Sequence, residues 1–155
     1  YHDKAFLRPG SGCRYREDDI KQAKAKLLPT RDRALLLVSH GPPRGKGNNA
    51  LDLISDKKHV GDPWLSDWIG KSQISFGIFG HILEAGGRGV GANLKTRIRP
   101  KKYREKLYIN AGSLSADPWG LHNGKTSWGM ALVFRIKGKK AQYEVKHFPM
   151  FEEDE

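Results

Sequence analysis

The stretch Ile74-Ser75-Phe76-Gly77-Ile78-Phe79-Gly80-His81-Ile82-Leu83-Glu84-Ala85-Gly86-Gly87 decides how this chain is read. Its apolar run, Ile74 to Phe79, predicts a buried strand. Gly80-His81 then sets an imidazole at the carboxyl edge of that strand, where open α/β sheets hold their ligands. Upstream, Ala34-Leu35-Leu36-Leu37-Val38-Ser39-His40-Gly41-Pro42-Pro43 has the same form. The run from Arg33 to Ser39 is nearly all apolar, which suits burial on both faces in a mostly parallel sheet covered by helices. His40 is followed at once by turn residues. Two strand-end histidines are the one grouping in the sequence that looks chemical.

Around these strands the other elements follow from period and punctuation. Asp18 or Asp19 can cap a helix running to Leu28, with Ile20, Ala23, Leu27 and Leu28 on one face and Pro29 as its stop. Gly41 to Asn49 is a loop that lacks the Gly-Lys-Ser/Thr ending of a phosphate-binding Walker loop. Ala50 to Ile54 has the length of a short helix. Gly61-Asp62-Pro63 opens an amphipathic helix over Trp64 to Gly70; Trp64, Leu65, Trp68 and Ile69 form its apolar face, and both tryptophans are expected in the core. Gly86 to Gly91 is expected to be an irregular, mobile loop. Asn93 to Arg99 reads as a polar strand and Lys106 to Asn110 as a shorter one. Asp117 to Lys125 reads as a loop, and Trp128 to Ile136 and Gln142 to Phe148 as strands joined by Gly138-Lys139-Lys140 in an antiparallel hairpin. The ends, Tyr1 to Glu17 and Glu152 to Glu155, read as turn-rich lead-in and frayed acidic tail. The fold class expected is α/β: one domain over residues 1–155, with a mixed sheet and a C-terminal hairpin.

At 155 residues and 37% hydrophobic content the chain can build a real core. No run nears the about 18 apolar residues of a membrane span, so no membrane partner is expected, and Tyr1-His2-Asp3-Lys4 does not open a signal peptide. Cys13 is the lone cysteine, which excludes an intrachain disulfide and fits a reducing, cytoplasmic location. The formal charge is +11. The densest basic patch is Arg97, Arg99, Lys101, Lys102, Arg104 and Lys106, with Tyr103 inside it, and Lys137, Lys139 and Lys140 fill the hairpin turn. A solvated face and a phosphate-attracting face both account for it, so nucleic acid stays among the candidate partners.

Leu-Leu-Leu-Val-Ser-His40-Gly-Pro-Pro, then Phe-Gly-His81-Ile-Leu-Glu-Ala-Gly, then Tyr108-Ile109-Asn110-Ala111-Gly112-Ser113, closed by the Gly129-Met-Ala-Leu-Val-Phe strand, resembles the C-terminal half of the calcineurin-like metallophosphoesterases. The match spans roughly Arg33 to Phe148. The resemblance implies half of a four-layer αββα sandwich and a dinuclear hydrolase of phosphate mono- or diesters. Its cofactors would be divalent Mn, Fe or Zn, which imidazole and carboxylate suit. By the same resemblance His40 and His81 are metal ligands, both to the second ion of the pair.

The departures narrow that implication. Leu83 stands where the family has a second histidine, and leucine cannot ligate a metal, so the first site is short of a ligand unless Glu84, Asn110 or a water compensates. The family's Asp-x-His, Gly-Asp and Gly-Asn-His motifs have no counterpart in this chain. The expectation is therefore a C-terminal half whose remaining ligands come from an N-terminal fragment or a second chain, inactive in isolation and with no catalytic residue of its own. A catalytically impaired structural or binding module, or a basic nucleic-acid-associated protein, are the alternatives.

Arg44 and Lys46, just past His40, are candidates to meet a substrate phosphate, as against lying in a solvated loop. Asn110 and His122 join them as candidate substrate contacts, although Asn110 better suits fixing a turn at a strand end than binding metal. His59 is a loop histidine of either kind. Gly86-Gly87-Arg88-Gly89 has weak potential as an anion nest. Asp52 and Asp56 show no pairing that the sequence reveals.

Overall fold

The computed structural model describes residues 16–26 and 34–149. In chain order the elements are α1 (Glu17–Lys26), β1 (Leu35–Val38), α2 (Pro63–Lys71), β2 (Ile74–Phe79), a short 3-10 turn (Leu83–Ala85), β3 (Gly89–Val90), β4 (Arg97–Ile98), β5 (Leu107–Asn110), β6 (Trp119–Gly120), β7 (Thr126–Ser127), β8 (Met130–Lys137) and β9 (Lys140–His147). The main sheet has the order β1-β2-β5-β3-β4. β1, β2 and β5 run parallel, whereas β3 pairs antiparallel with both β5 and β4. The protein is thus α/β with a mixed sheet and antiparallel hairpins.

Two cores lie on the two faces of that sheet. In β5 the side chains alternate, as strand geometry requires: Tyr108 enters the cluster with Leu65, Trp68 and Ile69 of α2 and Ile20 of α1, while Leu107 and Ile109 enter the cluster with Ala141 and Tyr143 of β9. Helices therefore cover one face and the β8–β9 hairpin the other. α2 starts where the sequence says it should: Asp62 caps it by accepting from the Leu65 amide (2.8 Å), and Pro63 fills the first turn. Trp68 is core, but Trp64 is exposed, because its position on α2 points away from the sheet.

Several expectations need correction. The apolar run at β1 is not buried on both faces: Leu35 and Leu37 pack against the helical core, while Leu36 and Val38 are 40% and 68% exposed. Among the described residues β1 is the edge strand of the main sheet. Ala50 to Ile54 is not a helix, since Leu53 bridges to His59 and the Asp52 side chain is tied to distant backbone. The glycine-rich segment is not irregular throughout; it contains β3, because Gly89 lets the backbone run against the Tyr143 ring, where a Cβ would lie 2.7 Å from Cε1. Most of Asn93 to Arg99 is a turn held by Asn93 Oδ1, which accepts from the Lys95 and Thr96 amides (3.1 and 2.9 Å) and leaves a strand of two residues. The loop around Trp119 folds into the small β6–β7 hairpin. The expected helix end at Leu27 to Pro29, Cys13 and the acidic tail lie outside the described residues. Among the described residues no helix is long and apolar enough to cross a membrane.

Candidate functional site

The parallel pairing of β1 and β2 continues beyond both strands. The Ser39 amide donates to the Ile78 carbonyl (3.1 Å) and the Gly80 amide to the His40 carbonyl (2.9 Å). This zipper carries His40 and His81 side by side off the carboxyl edge. His40 Nε2 and His81 Nδ1 are 3.1 Å apart, and the ring centroids are 4.8 Å apart at 55°. His81 sits at φ 67, a left-handed conformation uncommon for a side chain with a Cβ. The tight turn that imposes it is closed by the Ile82 amide on the Gly80 carbonyl (2.8 Å). Burial of the His81 ring, and then the His40 imidazole beside it, lower its pKa, so both effects favour a neutral ring.

Asn110 holds this turn from below. It is 0% exposed. Its Nδ2 donates to the carbonyls of Ile82 (2.8 Å), Gly80 (3.3 Å) and Leu51 (3.3 Å), and its Oδ1 accepts from the Gly112 amide (2.9 Å). The expected substrate contact is thereby corrected. Its side chain is sealed in and fully occupied by backbone, and it braces the residues on either side of His81.

The loop from Gly41 to Asp62 folds over a second buried polar group, which the sequence did not single out. Asp52 is 0% exposed. Its Oδ1 accepts from the Gly45 amide (3.0 Å) and from His59 Nδ1 (2.9 Å), and its Oδ2 from the Gly61 amide (3.0 Å). With the carboxylate as acceptor, His59 donates from Nδ1. The one sequence signal was an acid inside an otherwise apolar run, Ala50-Leu51-Asp52-Leu53-Ile54. Arg44 is exposed next to this pair, with Nη2 donating to the His59 carbonyl (3.3 Å). Lys46 is exposed on the same loop, and His122 is exposed in the β6–β7 turn.

Arg88 also turns inward. Its guanidinium donates to the carbonyls of Ala50 (2.8 Å) and Glu84 (3.1 Å), and burial, then Arg97, push its pKa down. The amides of Gly86, Gly87 and Arg88 donate to the carbonyls of Leu83, Asn110 and Ala85. With those N–H groups already committed, the glycine-rich turn is not an anion nest. Glu84 Oε1 accepts from Ser55 Oγ (3.3 Å), and its buried Oε2 has no hydrogen-bond partner among the described residues.

No family model, curated protein or solved structure matches the chain. Two nitrogens on one divalent ion, each bonded at about 2.0–2.1 Å, lie roughly 2.9–3.4 Å apart for angles between square and tetrahedral. The observed 3.1 Å fits that spacing. Among the described residues no group of three or more His, Cys, Asp or Glu side chains is placed to hold a metal ion. Two donors are present; a complete set is not.

Proposed function

We propose that this chain carries the C-terminal histidine ligands of a metal-dependent phosphoesterase with an incomplete first metal position. One observation carries the reading: two imidazoles from neighbouring parallel strands meet at the carboxyl edge of the sheet with their nitrogens 3.1 Å apart. The two ring nitrogens lie close enough for one divalent cation to bridge them, and a neutral His81 suits ligation. When bound, such a cation lowers the pKa of its water and neutralises phosphate oxygens. His40 and His81 would hold it, and Arg44 and Lys46 would offer cationic contacts to the substrate phosphate. Leu83 opens the 3-10 turn and brings no donor.

The arrangement of helices, mixed sheet and second antiparallel layer supports half of an αββα sandwich. The uncovered Leu36 and Val38 on edge strand β1 support a completing segment, from an N-terminal fragment or a second chain, that would pair there and bring the missing ligands.

Metal analysis tests this. The protein is purified without chelator and titrated with Zn2+ or Mn2+ by calorimetry. We expect one ion bound weakly by this chain, lost in both His40→Ala and His81→Ala, and no turnover of an aryl phosphate. Retention of the same binding in the double variant would overturn the ligand assignment. Turnover by this polypeptide alone, lost in His81→Ala, would overturn the incomplete-site reading.

A further inference from the structure

Two basic runs that are far apart in sequence meet at the amino edge of the sheet. The segment after β4 lies along β9: the Lys101 amide donates to the Tyr143 carbonyl (2.8 Å), and Arg104 and Ala141 exchange both backbone hydrogen bonds (2.8 Å each). Ala141 follows Lys140 directly, so the run Arg99, Lys101, Lys102, Arg104 is set against the β8–β9 turn with Lys139 and Lys140. All six side chains are exposed. Three backbone bonds fix the segment before any ligand arrives, which reduces the ordering cost of binding.

Among the described residues the charge is answered only in part, by Glu144 near Lys101. Glu144 on β9 accepts from Lys146 (2.7 Å) and Arg135 (3.0 Å), which hold its carboxyl down to about 2. No acidic side chain lies within 99–104, and Glu105 follows it directly. Lys106 does not contribute, because its Nζ donates to the Ile74 carbonyl (2.8 Å). Tyr103 stands among the cations, 37% exposed.

We propose that this surface, the 99–104 segment with the β8–β9 turn, binds single-stranded nucleic acid. Its cations take the phosphates, and Tyr103 offers a ring on which a base can stack. An aromatic among cations favours an unpaired strand over an acidic protein surface, which has no base to stack. The surface is separate from the histidine pair. It leads into β5 at Leu107, whereas His81 and Asn110 lie at the opposite, carboxyl end of β2 and β5. It therefore stands or falls apart from the phosphoesterase proposal.

The test is fluorescence anisotropy of the full chain with labelled 20-mer RNA and DNA single strands, over a salt series. With about five phosphates contacted, log K should fall against log salt with a slope of about −3.5. Lys101→Glu/Lys102→Glu/Arg104→Glu should cost at least tenfold and flatten the slope by about 2. Tyr103→Ala should cost about fivefold and leave the slope unchanged. Lys21→Glu/Lys71→Glu, which reverses exposed charges on the helices, should bind like the parent. Equal losses from the helix reversals would overturn the proposal by showing an effect of net charge. So would binding of anionic vesicles or poly-glutamate without binding of either oligonucleotide. Unequal affinity for RNA and DNA would identify the preferred strand, and both support the assignment. Circular dichroism of each variant excludes misfolding as the cause of a loss.

Discussion

Asn110→Ala should be among the most damaging single substitutions at the carboxyl edge. The two Nδ2 hydrogens serve the Ile82 carbonyl at 2.8 Å and the Gly80 and Leu51 carbonyls at 3.3 Å, and Oδ1 serves the Gly112 amide at 2.9 Å. That is three hydrogen bonds' worth of satisfaction for buried backbone, since two hydrogens cannot fully serve three acceptors. At about 1 kcal/mol each the loss comes to about 3 kcal/mol, because the orphaned backbone groups have little access to water. With an m-value of about 2 kcal/mol/M the urea midpoint should fall by about 1.5 M, followed by tryptophan fluorescence. Asn110→Asp keeps the bond from Gly112 but turns a carboxylate oxygen toward three carbonyls, so at pH 7 it should be no more stable than the alanine variant. Hydrogen exchange supplies a local readout, with the Gly112 amide losing protection in Asn110→Ala but not in Asn110→Asp where that variant folds. A loss below about 1 kcal/mol in the alanine variant, or an aspartate variant as stable as the parent, would refute the bracing role.

Tyr108 donates its hydroxyl to the Ile74 carbonyl (2.9 Å), and burial pushes its pKa up to about 12. Its folded-state pKa is raised, so its contribution to stability is whole below the ordinary value near 10 and is lost as pH rises from there toward about 12. In an absorbance titration at about 295 nm the Tyr108 phenol should ionise only near pH 12 in the folded protein, and burial raises Tyr143 as well. The late-ionising absorbance should shrink in Tyr108→Phe; a titration curve unchanged by the substitution would reject the assignment. Gly89→Ala puts a Cβ against Tyr143 and strains the Tyr143 hydroxyl's bond to the Ile98 carbonyl (2.9 Å). It should cost about 2 kcal/mol, and markedly less in a Tyr143→Leu background. Strict additivity in that thermal-unfolding cycle would show that the ring is not what forbids the side chain.

Much of the fold could be read locally. Asp62-Pro63 marked the start of α2, the apolar runs marked β1, β2 and β5, and Gly138-Lys139 marked the hairpin turn. Each of these signals acts within a few residues, through a cap, a fixed φ or side-chain period. The errors have the opposite character. Ala50 to Ile54 lost its helix to an acid that binds amides seven and nine residues away in the chain. The glycine-rich segment gained a strand because Tyr143, far along the chain, needs the space at Gly89. Trp64 and Val38 carry core side chains but face outward, since burial depends on what packs opposite and not on the residue itself.

The candidate site divides in the same way. The sequence by itself determined that His40 and His81 stand at strand ends, because an apolar run followed by a turn residue fixes where a strand stops. It also determined that Leu83 brings no donor. Only the tertiary structure decided that β1 and β2 are parallel neighbours, which is what brings the two imidazoles to 3.1 Å. The tertiary structure also assigned Asn110 to the backbone on either side of His81 and gave His59 a buried aspartate. It joined the cations of 99–104 to those of the β8–β9 turn. The physical reason is range: strand ends are set by near neighbours, whereas contacts across a sheet depend on pairing between segments tens of residues apart.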